Sequence, residues 1–144
     1  MNTATEITNL LYRYNEYIDK GDFAGAAGMF KDAKLKLRGH DELQSGAEVL
    51  PMLQHFVIIY PDGTPKTKHI VTNPIIEIDE QAGKANTRSQ YTVFQVTEDI
   101  PMQVIAAGGY HDSFERVDGT WRFSYRDYTL FNMAGNIIGH LKNI

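Results

Sequence analysis

The sequence predicts an α+β protein in which N-terminal helices close one face of a curved, mostly antiparallel sheet. Apolar residues recur at helical spacing near the start of the chain. Near its end, two β-branched and aromatic runs, 102–117 and 120–133, flank Asp118-Gly119, a dipeptide that favours a two-residue hairpin turn. Each run is much longer than the typical strand of roughly 5–6 residues. We therefore expect the sheet to curve strongly around an enclosed space.

The first helix follows from periodicity and from the residues at its ends. Residues 5–20 are predicted to be helical, with Thr3 or Thr5 as the N-cap. Gly21 is expected to end this helix, because glycine adopts the left-handed conformation that often follows a helix. The predicted apolar stripe consists of Ile7, Leu10, Leu11, Tyr14 and Ile18.

Two short elements are predicted next. Asp22 is expected to cap a second helix over 23–30. Because residues 25–28 of this helix are glycine and alanine, it has few large side chains and can approach a neighbouring element closely. Residues 33–38 alternate between polar and apolar side chains, which indicates a short strand.

A third helix is predicted from a capping-box pattern. Ser45 and Glu48 have the spacing of that motif, and the helix is expected to cover 46–59. Pro51 falls in its first turns, where proline is tolerated. The proline- and glycine-containing segment 60–66 is predicted to be a loop.

Long strands make up most of the remaining chain. They are predicted over 68–79, with a possible break at Asn73-Pro74, and over 84–96, before the two arms of the hairpin. The tail 135–144 is expected to form a short amphipathic closing segment. Its apolar side is predicted to comprise Ile137, Ile138 and Leu141.

Composition narrows the class of protein. The net charge of −4 argues against a nucleic-acid partner, which usually needs a basic face. There are no cysteines, so disulfides and thiolate chemistry are excluded. No apolar run approaches the ~18 residues of a membrane span, and we expect a cytoplasmic protein that does not bind membranes. No two histidines have metal-ligand spacing, so no metal site is expected.

Asp19 and His69 are the first candidates for chemistry. Asp19 lies in the last turn of the first helix, where the helix dipole disfavours a carboxylate. The alternative interpretation is a solvated aspartate beside a turn, which is the commoner case. His69 begins a predicted strand, and a single histidine there is more often structural than catalytic. The other non-hairpin histidines are interpreted as surface residues: His40, His55 and His140.

The orientation of Arg126 depends on the hairpin register. With Asp118-Gly119 as a two-residue loop, regular pairing places His111 opposite Arg126 on the face predicted to be solvent-exposed. A β-bulge near Ser124 would reverse the alternation and turn Arg126 inward. Without the bulge, Arg126 is a surface residue, and the pattern alone leaves both alternatives open.

Three segments resemble the SnoaL-like branch of the nuclear transport factor 2-like superfamily. They are ITNLLYRYNEYIDKGDFAGAAGMF, TKHIVTNPIIEID and AAGGYHDSFERVDGTWRFSYRDYTLFN, and the resemblance covers nearly the whole chain. It implies one SnoaL-like domain over 1–144, with a cystatin-like α+β barrel: a cone-shaped sheet closed by helices around a deep apolar pocket. The branch includes scytalone dehydratase, a bile acid dehydratase, hexachlorocyclohexane dehydrochlorinase and polyketide cyclases, with steroid isomerases more distant.

The resemblance also implies a set of catalytic residues. In the dehydratases and the dehydrochlorinase, an Asp at the end of the first helix pairs with a His at the start of a strand, and Asp19 and His69 match these positions. Tyr14 matches a Tyr of the bile acid dehydratase, and Arg126 matches an Arg that follows the hairpin Trp. His111 has no transferable partner and is expected only to line the pocket.

The aromatic content suggests a hydrophobic pocket. Its predicted substrate-binding residues, besides His111, are Phe56, Tyr91 and Phe131. Further candidates for its wall are Tyr12, Tyr17, Phe30, Phe94 and Tyr110, and we expect at least half of all these aromatics, apart from His111, to be ordinary core.

The resemblance predicts a cofactor-independent lyase or isomerase, dehydratase-like, that uses His–Asp general acid/base catalysis on a small hydrophobic cyclic substrate. Two alternatives stay open: a non-catalytic small-molecule-binding protein, and the small structural subunit of a ring-hydroxylating dioxygenase. A homo-oligomer, trimer or dimer, is expected. Its interface is predicted on the convex face of the sheet, with Val93, Val104 and Phe114 as contributors.

Overall fold

Helix α1 spans Thr3–Asp19 in the computed structural model, which describes residues 2–144. The predicted stripe faces the core, where Ile7, Leu11 and Ile18 are buried. The N-cap is Asn2, whose side chain accepts a hydrogen bond from the Thr5 N–H at 2.8 Å. The prediction of a threonine cap is therefore wrong, because the helix begins one turn earlier than its apolar pattern.

The end of α1 is fixed by a close approach to a distant loop. Gly21 has φ +78°, and a Cβ atom added to it would lie 1.9 Å from the carbonyl oxygen of Gly63. The short helix α2, Phe23–Gly28, follows at once, capped by the Asp22 side chain as predicted. Asp22 accepts a hydrogen bond from the Gly25 N–H at 2.8 Å. The backbone at Gly21 thus holds the last turn of α1, which carries Asp19, against the loop 60–66.

Gly21→Ala is expected to destabilise the protein by about 2–4 kcal/mol, because it adds a left-handed alanine and a clash with Gly63. Gly28→Ala is the matched control, since its added Cβ meets no atom within 4 Å. That control is expected to be neutral or slightly stabilising. Urea denaturation of both variants measures the difference. Equal stabilities would contradict the close approach.

The segment between α2 and the long strands is short and irregular. Strand β1, Lys34–Lys36, and strand β2, Gln44–Ser45, precede a 3-10 turn, Gly46–Glu48, and helix α3, Val49–Phe56. The Ser45 hydroxyl caps this turn by accepting from the Ala47 N–H. Helix α3 ends three residues before its predicted limit, because Val57 is extended and pairs with Leu141 in a bridge.

The sheet has the order β2-β1-β6-β5-β4-β3, and the predicted α+β class is confirmed. Its long members are β3, Thr67–Asp79; β4, Lys84–Gln95; β5, Gln103–Val117; and β6, Thr120–Asp127. Strand β7, Phe131–Ala134, pairs with β5 beyond the end of β6. Neighbours are antiparallel except for β1 and β6, which run parallel. Within residues 2–144, no helix is both long and apolar enough to cross a membrane.

Irregular positions bend the long strands. The pairing of β3 with β4 shifts between Thr72 and Ile75, at the predicted break, where Asn73 has φ +54°. Asp118 and Gly119 both have positive φ, as a two-residue hairpin turn requires. The second hairpin arm is divided between β6 and β7 instead of being one strand. These shifts let the sheet curve around its concave face.

A bulge at Ser124 reverses the side-chain alternation of β6. Ser113 pairs with Tyr125, whereas Phe114 pairs with Phe123, so Ser124 is the extra residue. Arg126 consequently turns inward and is fully buried. It lies opposite Asp112, and the regular pairing of Arg126 with His111 does not occur.

The two faces of the sheet have different environments. Val93 and Phe114 lie in the core, so the prediction that they contribute to a convex oligomer surface is wrong. Val104 is half exposed on the outer face. Other apolar residues exposed there are Ile70, Ile75 and Met133. Homo-oligomerisation through this face stays a prediction.

The C-terminal segment closes the molecule without forming a helix. Its turn packs Ile137 and Leu141 against the core, whereas Ile138 is exposed. The His140 carbonyl accepts a hydrogen bond from the Ile58 N–H at 2.8 Å. The segment is therefore fastened to the chain that leaves α3.

Candidate active site

A deep cavity of about 820 Å³ lies between the concave face of the sheet, helices α1 and α3, and the C-terminal segment. Its volume is within the range of roughly 300–1,000 Å³ that is usual for small-molecule sites. The wall is mainly apolar. Its aliphatic members include Ile18, Leu37, Leu53, Val57, Val93, Ile137 and Leu141. Charged or titratable side chains at its wall also include Arg38, His40, Glu48 and His55.

The structure brings Asp19 and His69 together at this cavity. The His69 Nδ1 atom lies 2.6 Å from Oδ1 of Asp19, and the His69 backbone N–H donates to Oδ2 at 2.8 Å. The hydroxyl of Thr67 donates to Oδ1 at 2.8 Å. Sequence reasoning missed Thr67, which is two residues before His69 and so lies on the same face of β3. The carboxylate at the adverse end of α1 is thus supplied with three donors.

This contact assigns the tautomer of His69. Because both oxygens of an ionised Asp19 only accept hydrogen bonds, the His69 proton belongs on Nδ1. In the neutral form of the ring, Nε2 then carries the free lone pair. The side chain of His69 is only 9% exposed, and it lines the cavity. The arrangement can take a proton from a bound molecule and share the resulting positive charge with Asp19.

A pair of tyrosine hydroxyls forms another polar point of the wall. Tyr128 donates to the Tyr14 hydroxyl oxygen at 2.9 Å, and both residues line the cavity. Burial raises the pKa of Tyr14 above its ordinary value of 10. Its phenol therefore stays protonated and is able to donate to a bound oxygen.

Arg126 is inward but lies behind the cavity wall. Its Nε and one terminal nitrogen donate to the two oxygens of Asp112 at 2.7 and 3.1 Å, and both side chains are fully buried. Burial is the largest single influence and opposes its charge, yet Asp112, Tyr128 and Tyr110 together outweigh it and hold the pKa of Arg126 above its ordinary range. The guanidinium is surrounded by the rings of Tyr14, Phe30, Tyr110, Phe123 and Tyr128. Arg126 thus orders the aromatic floor and does not line the cavity.

The predicted aromatic wall is partly present. Phe56, Tyr91 and Phe131 line the cavity, as does Tyr110. Phe30 is core, and Tyr12, Tyr17 and Phe94 also lie outside the cavity lining. His111 is exposed on the outer face, opposite Arg88 of β4, so its predicted place in the pocket is wrong. The cause is the regular alternation of β5, which turns Tyr110, Asp112 and Phe114 inward and therefore turns His111 outward.

His140 is a cavity residue that sequence reasoning placed on the surface. It is 6% exposed, and its ring centroid lies 6.0 Å from that of His69. Burial, with a smaller effect of His69, lowers the pKa of His140 to about 4. No helical or strand pattern in the tail marks this residue as buried. Among residues 2–144, no group of three histidine or acidic side chains is placed to hold a metal ion.

Stability is expected to fall as the pH drops from about 6.5 to about 4, and to fall less in His140→Phe. The unfolded histidine binds a proton below its ordinary pKa of 6.5, whereas the folded one does so only below about 4. The stabilising contribution is complete above pH 6.5 and amounts to about 3 kcal/mol at most. Urea unfolding across this range measures it. The same pH dependence in both proteins would contradict the burial of a neutral His140.

Comparison with known proteins decides the family. The model of the SnoaL-like domain matches residues 1–127. The chain belongs to the SnoaL-like domain family. The SnoaL-like resemblance noted in the sequence is thereby confirmed. No curated protein is significantly similar in sequence to this SnoaL-like domain.

Solved structures share the fold of this SnoaL-like domain. A protein of unknown function from Mycobacterium tuberculosis is 25% identical, with a TM-score of 0.64 over 86% of this chain and 69% of the other. A scytalone dehydratase-like protein from Novosphingobium aromaticivorans is 20% identical, with a TM-score of 0.63 over 92% and 91%. From the same organism, the β subunit of a protein described as an aromatic-ring-hydroxylating dioxygenase is 16% identical, with a TM-score of 0.68 over 94% of each chain.

Proposed function

We propose that this SnoaL-like domain is a cofactor-independent lyase or isomerase that acts on a small hydrophobic cyclic compound. The observation that carries the proposal is the His69 imidazole, whose Nδ1 is held 2.6 Å from Asp19 while its ring lines an apolar cavity. A neutral imidazole with an occupied Nδ1 is poised to act as a base through Nε2. Its low exposure favours a bound substrate over bulk water as the partner of Nε2.

The proposed reaction begins at a carbon beside a carbonyl group. Nε2 of His69 takes a proton from this carbon, and the C–H electron pair delocalises onto the carbonyl oxygen as an enolate. Asp19 stabilises the imidazolium that forms. In an isomerisation, the proton returns to a different carbon. In a dehydration, the enolate expels a β-hydroxyl group with the electron pair of its C–O bond, and the imidazolium supplies the proton that makes the leaving group water.

Tyr14 and Arg126 have different proposed roles. The buried Tyr14 hydroxyl, which accepts from Tyr128, donates to a substrate oxygen and stabilises negative charge in a dry site. Arg126 is already paired with Asp112, so we assign it to positioning: it fixes the rings of Tyr14 and Tyr128 from behind. This replaces the expectation from the family resemblance that Arg126 is itself a catalytic residue.

The cavity favours a substrate without a net charge. The deep wall is aliphatic and aromatic, and the only buried positive charge behind it is neutralised within the pair of Arg126 and Asp112 among the described residues. Arg38 at the wall is exposed and donates to the carbonyls of Thr129 and Phe131, so a carboxylate or phosphate bound deeper would lack a countercharge and would cost several kcal/mol to desolvate. A ring compound with carbonyl or hydroxyl groups meets no such cost.

Exchange of the acidic protons of a cyclic ketone tests the proposal without knowledge of the natural substrate. The protein is mixed with 2-tetralone in D₂O, and loss of the α-proton signals is followed by NMR. We expect exchange faster than in buffer alone, with the excess proportional to protein concentration. Binding of 2-tetralone without accelerated exchange would favour the alternative of a non-catalytic ligand-binding protein.

A structural-subunit role is the other alternative, and the dioxygenase β subunit of similar fold is its basis. At 16% identity, this similarity indicates a shared fold, and it gives no evidence of a shared assembly. Accelerated exchange by the isolated chain would count against this role, because a purely structural subunit needs no base at the cavity.

A further inference from the structure

His140 is held at the cavity by its backbone. Its N–H donates to the Ile137 carbonyl at 2.9 Å, and its carbonyl accepts from the Ile58 N–H at 2.8 Å. The next residue, Leu141, continues this contact through its bridge with Val57. These backbone contacts hold the His140 ring in place at the cavity, near the ring of His69, the catalytic candidate.

The ring has an unmet hydrogen-bonding capacity. Nδ1 of His140 is wholly buried and has no hydrogen-bond partner among the described residues. Buried polar atoms are rarely left unpaired, and an unpaired N–H costs more than an unpaired lone pair on the same ring. The proton therefore belongs on Nε2. Because Nδ1 is inaccessible, the ring meets the cavity through its other edge, which carries Nε2.

The same ring stays uncharged during the proposed reaction. Its low pKa of about 4 results mainly from burial, with His69 acting in the same direction and Asp19 opposing it. When His69 takes a proton, the new positive charge 6.0 Å away disfavours protonation of His140 further. The neutral ring of His140 therefore lies beside the proposed base and is available as a hydrogen-bond donor.

We propose that His140 donates a hydrogen bond from Nε2 to an oxygen of the bound substrate, close to the carbon that His69 deprotonates. This inference rests on the proposed function for the identity of the reacting carbon, and it adds a substrate class: ring compounds with a neutral carbonyl or hydroxyl oxygen at the reacting end. In the reaction the same N–H stabilises the enolate oxygen, because a preorganised donor gains strength as charge develops on its acceptor.

A purely structural role for His140 makes a different prediction. Such a role would affect all ligands of one shape equally, whereas a hydrogen bond affects only those with an oxygen. Two ligands of nearly the same shape, 2-tetralone and the hydrocarbon tetralin, separate the two roles. His140→Phe keeps an aromatic ring and removes the donor, and His140→Gln restores a side-chain N–H. His111→Phe is the control, since His111 lies on the outer face.

Dissociation constants of both ligands are measured by NMR titration for each protein. We expect the wild type and His111→Phe to bind 2-tetralone about five- to tenfold more tightly than tetralin, the effect of one hydrogen bond. His140→Phe is expected to lose most of this preference by losing affinity for 2-tetralone alone, with the Tyr14 hydroxyl supplying what remains, and His140→Gln is expected to recover part of it. No preference in the wild type, or an unchanged preference in His140→Phe, would overturn the proposal.

Failure of this inference is distinguishable from failure of the proposed function. The titration measures binding and needs no turnover. Suppose that 2-tetralone is preferred through His140 but its α-protons do not exchange faster than in buffer. The hydrogen bond from His140 is then confirmed, and the assignment of His69 as a base is wrong. Suppose instead that exchange is accelerated and depends on His69, while His140→Phe still prefers 2-tetralone over tetralin. The assignment of His69 as the base is then confirmed, and the inference about His140 is wrong. Thermal unfolding of His140→Phe and His140→Gln checks that each variant is folded.

Discussion

His69→Ala is expected to slow the α-proton exchange of 2-tetralone by about 10²–10⁴-fold, the usual contribution of a general base. The fold should survive, because Asp19 keeps two of its three donors: the Thr67 hydroxyl and the backbone N–H of residue 69. His69→Ala should therefore lower the exchange rate at saturating 2-tetralone more than it raises the dissociation constant of 2-tetralone. NMR exchange rates and a urea unfolding curve measure the two effects.

Two companion experiments make the result specific. His111→Ala removes an exposed imidazole from the outer face and is expected to leave the exchange rate unchanged. Added imidazole is expected to restore part of the exchange activity of His69→Ala, since the truncated side chain leaves space at the cavity wall. Full activity of a folded His69→Ala protein would show that another group removes the proton.

Arg126→Met is expected to lower the free energy of unfolding by about 3–5 kcal/mol. Methionine retains much of the volume and apolar contact of the arginine stem, but it leaves the Asp112 carboxylate buried without its two charged hydrogen bonds. The guanidinium also contacts the faces of surrounding rings, with its central carbon 3.8 Å from the Tyr110 ring centroid. Those cation–π contacts are lost as well. Urea denaturation near neutral pH measures the change.

The double variant Arg126→Met with Asp112→Leu separates charge burial from packing. Replacing both members of a buried ion pair by apolar residues is often close to neutral, so the double variant is expected to regain most of the stability. A double variant as unstable as Arg126→Met alone would mean that the aromatic contacts, and not the unpaired carboxylate, dominate the loss. A single variant within about 1 kcal/mol of the wild type would contradict the account of the pair.

The sequence predicted correctly those features of the fold that depend on residues close together in the chain. The stripe of α1, the Asp22 cap and the Asp118-Gly119 turn each depend on residues within a single helix or a single hairpin. The break at Asn73 was also visible in the sequence. The start of α1 was misplaced because Asn2 and two threonines are all competent caps, and the choice among them depends on the chain around them.

Features that depend on distant contacts were harder to predict. One extra residue at Ser124 reverses every side chain beyond it, and the hairpin pattern alone allowed either orientation of Arg126. The burial of His140 results from the docking of the tail onto Ile58, a contact between segments far apart in the sequence. No helical or strand periodicity marks such a turn. The relation between Asp19 and His69 came from family resemblance, since fifty residues separate them and no local pattern joins them.

The protonation of His69 in the folded protein is the most direct test of the central claim. Long-range ¹H–¹⁵N correlation spectra of histidine-labelled protein, at a pH where His69 is neutral, report which ring nitrogen carries the proton. We predict a protonated Nδ1 bonded to Asp19, a bare Nε2, and a shift of the Nε2 resonance when 2-tetralone fills the cavity. A proton on Nε2 in the neutral ring, or an Nε2 resonance unmoved by a ligand that demonstrably binds, would contradict a base held by Asp19 and directed at the substrate.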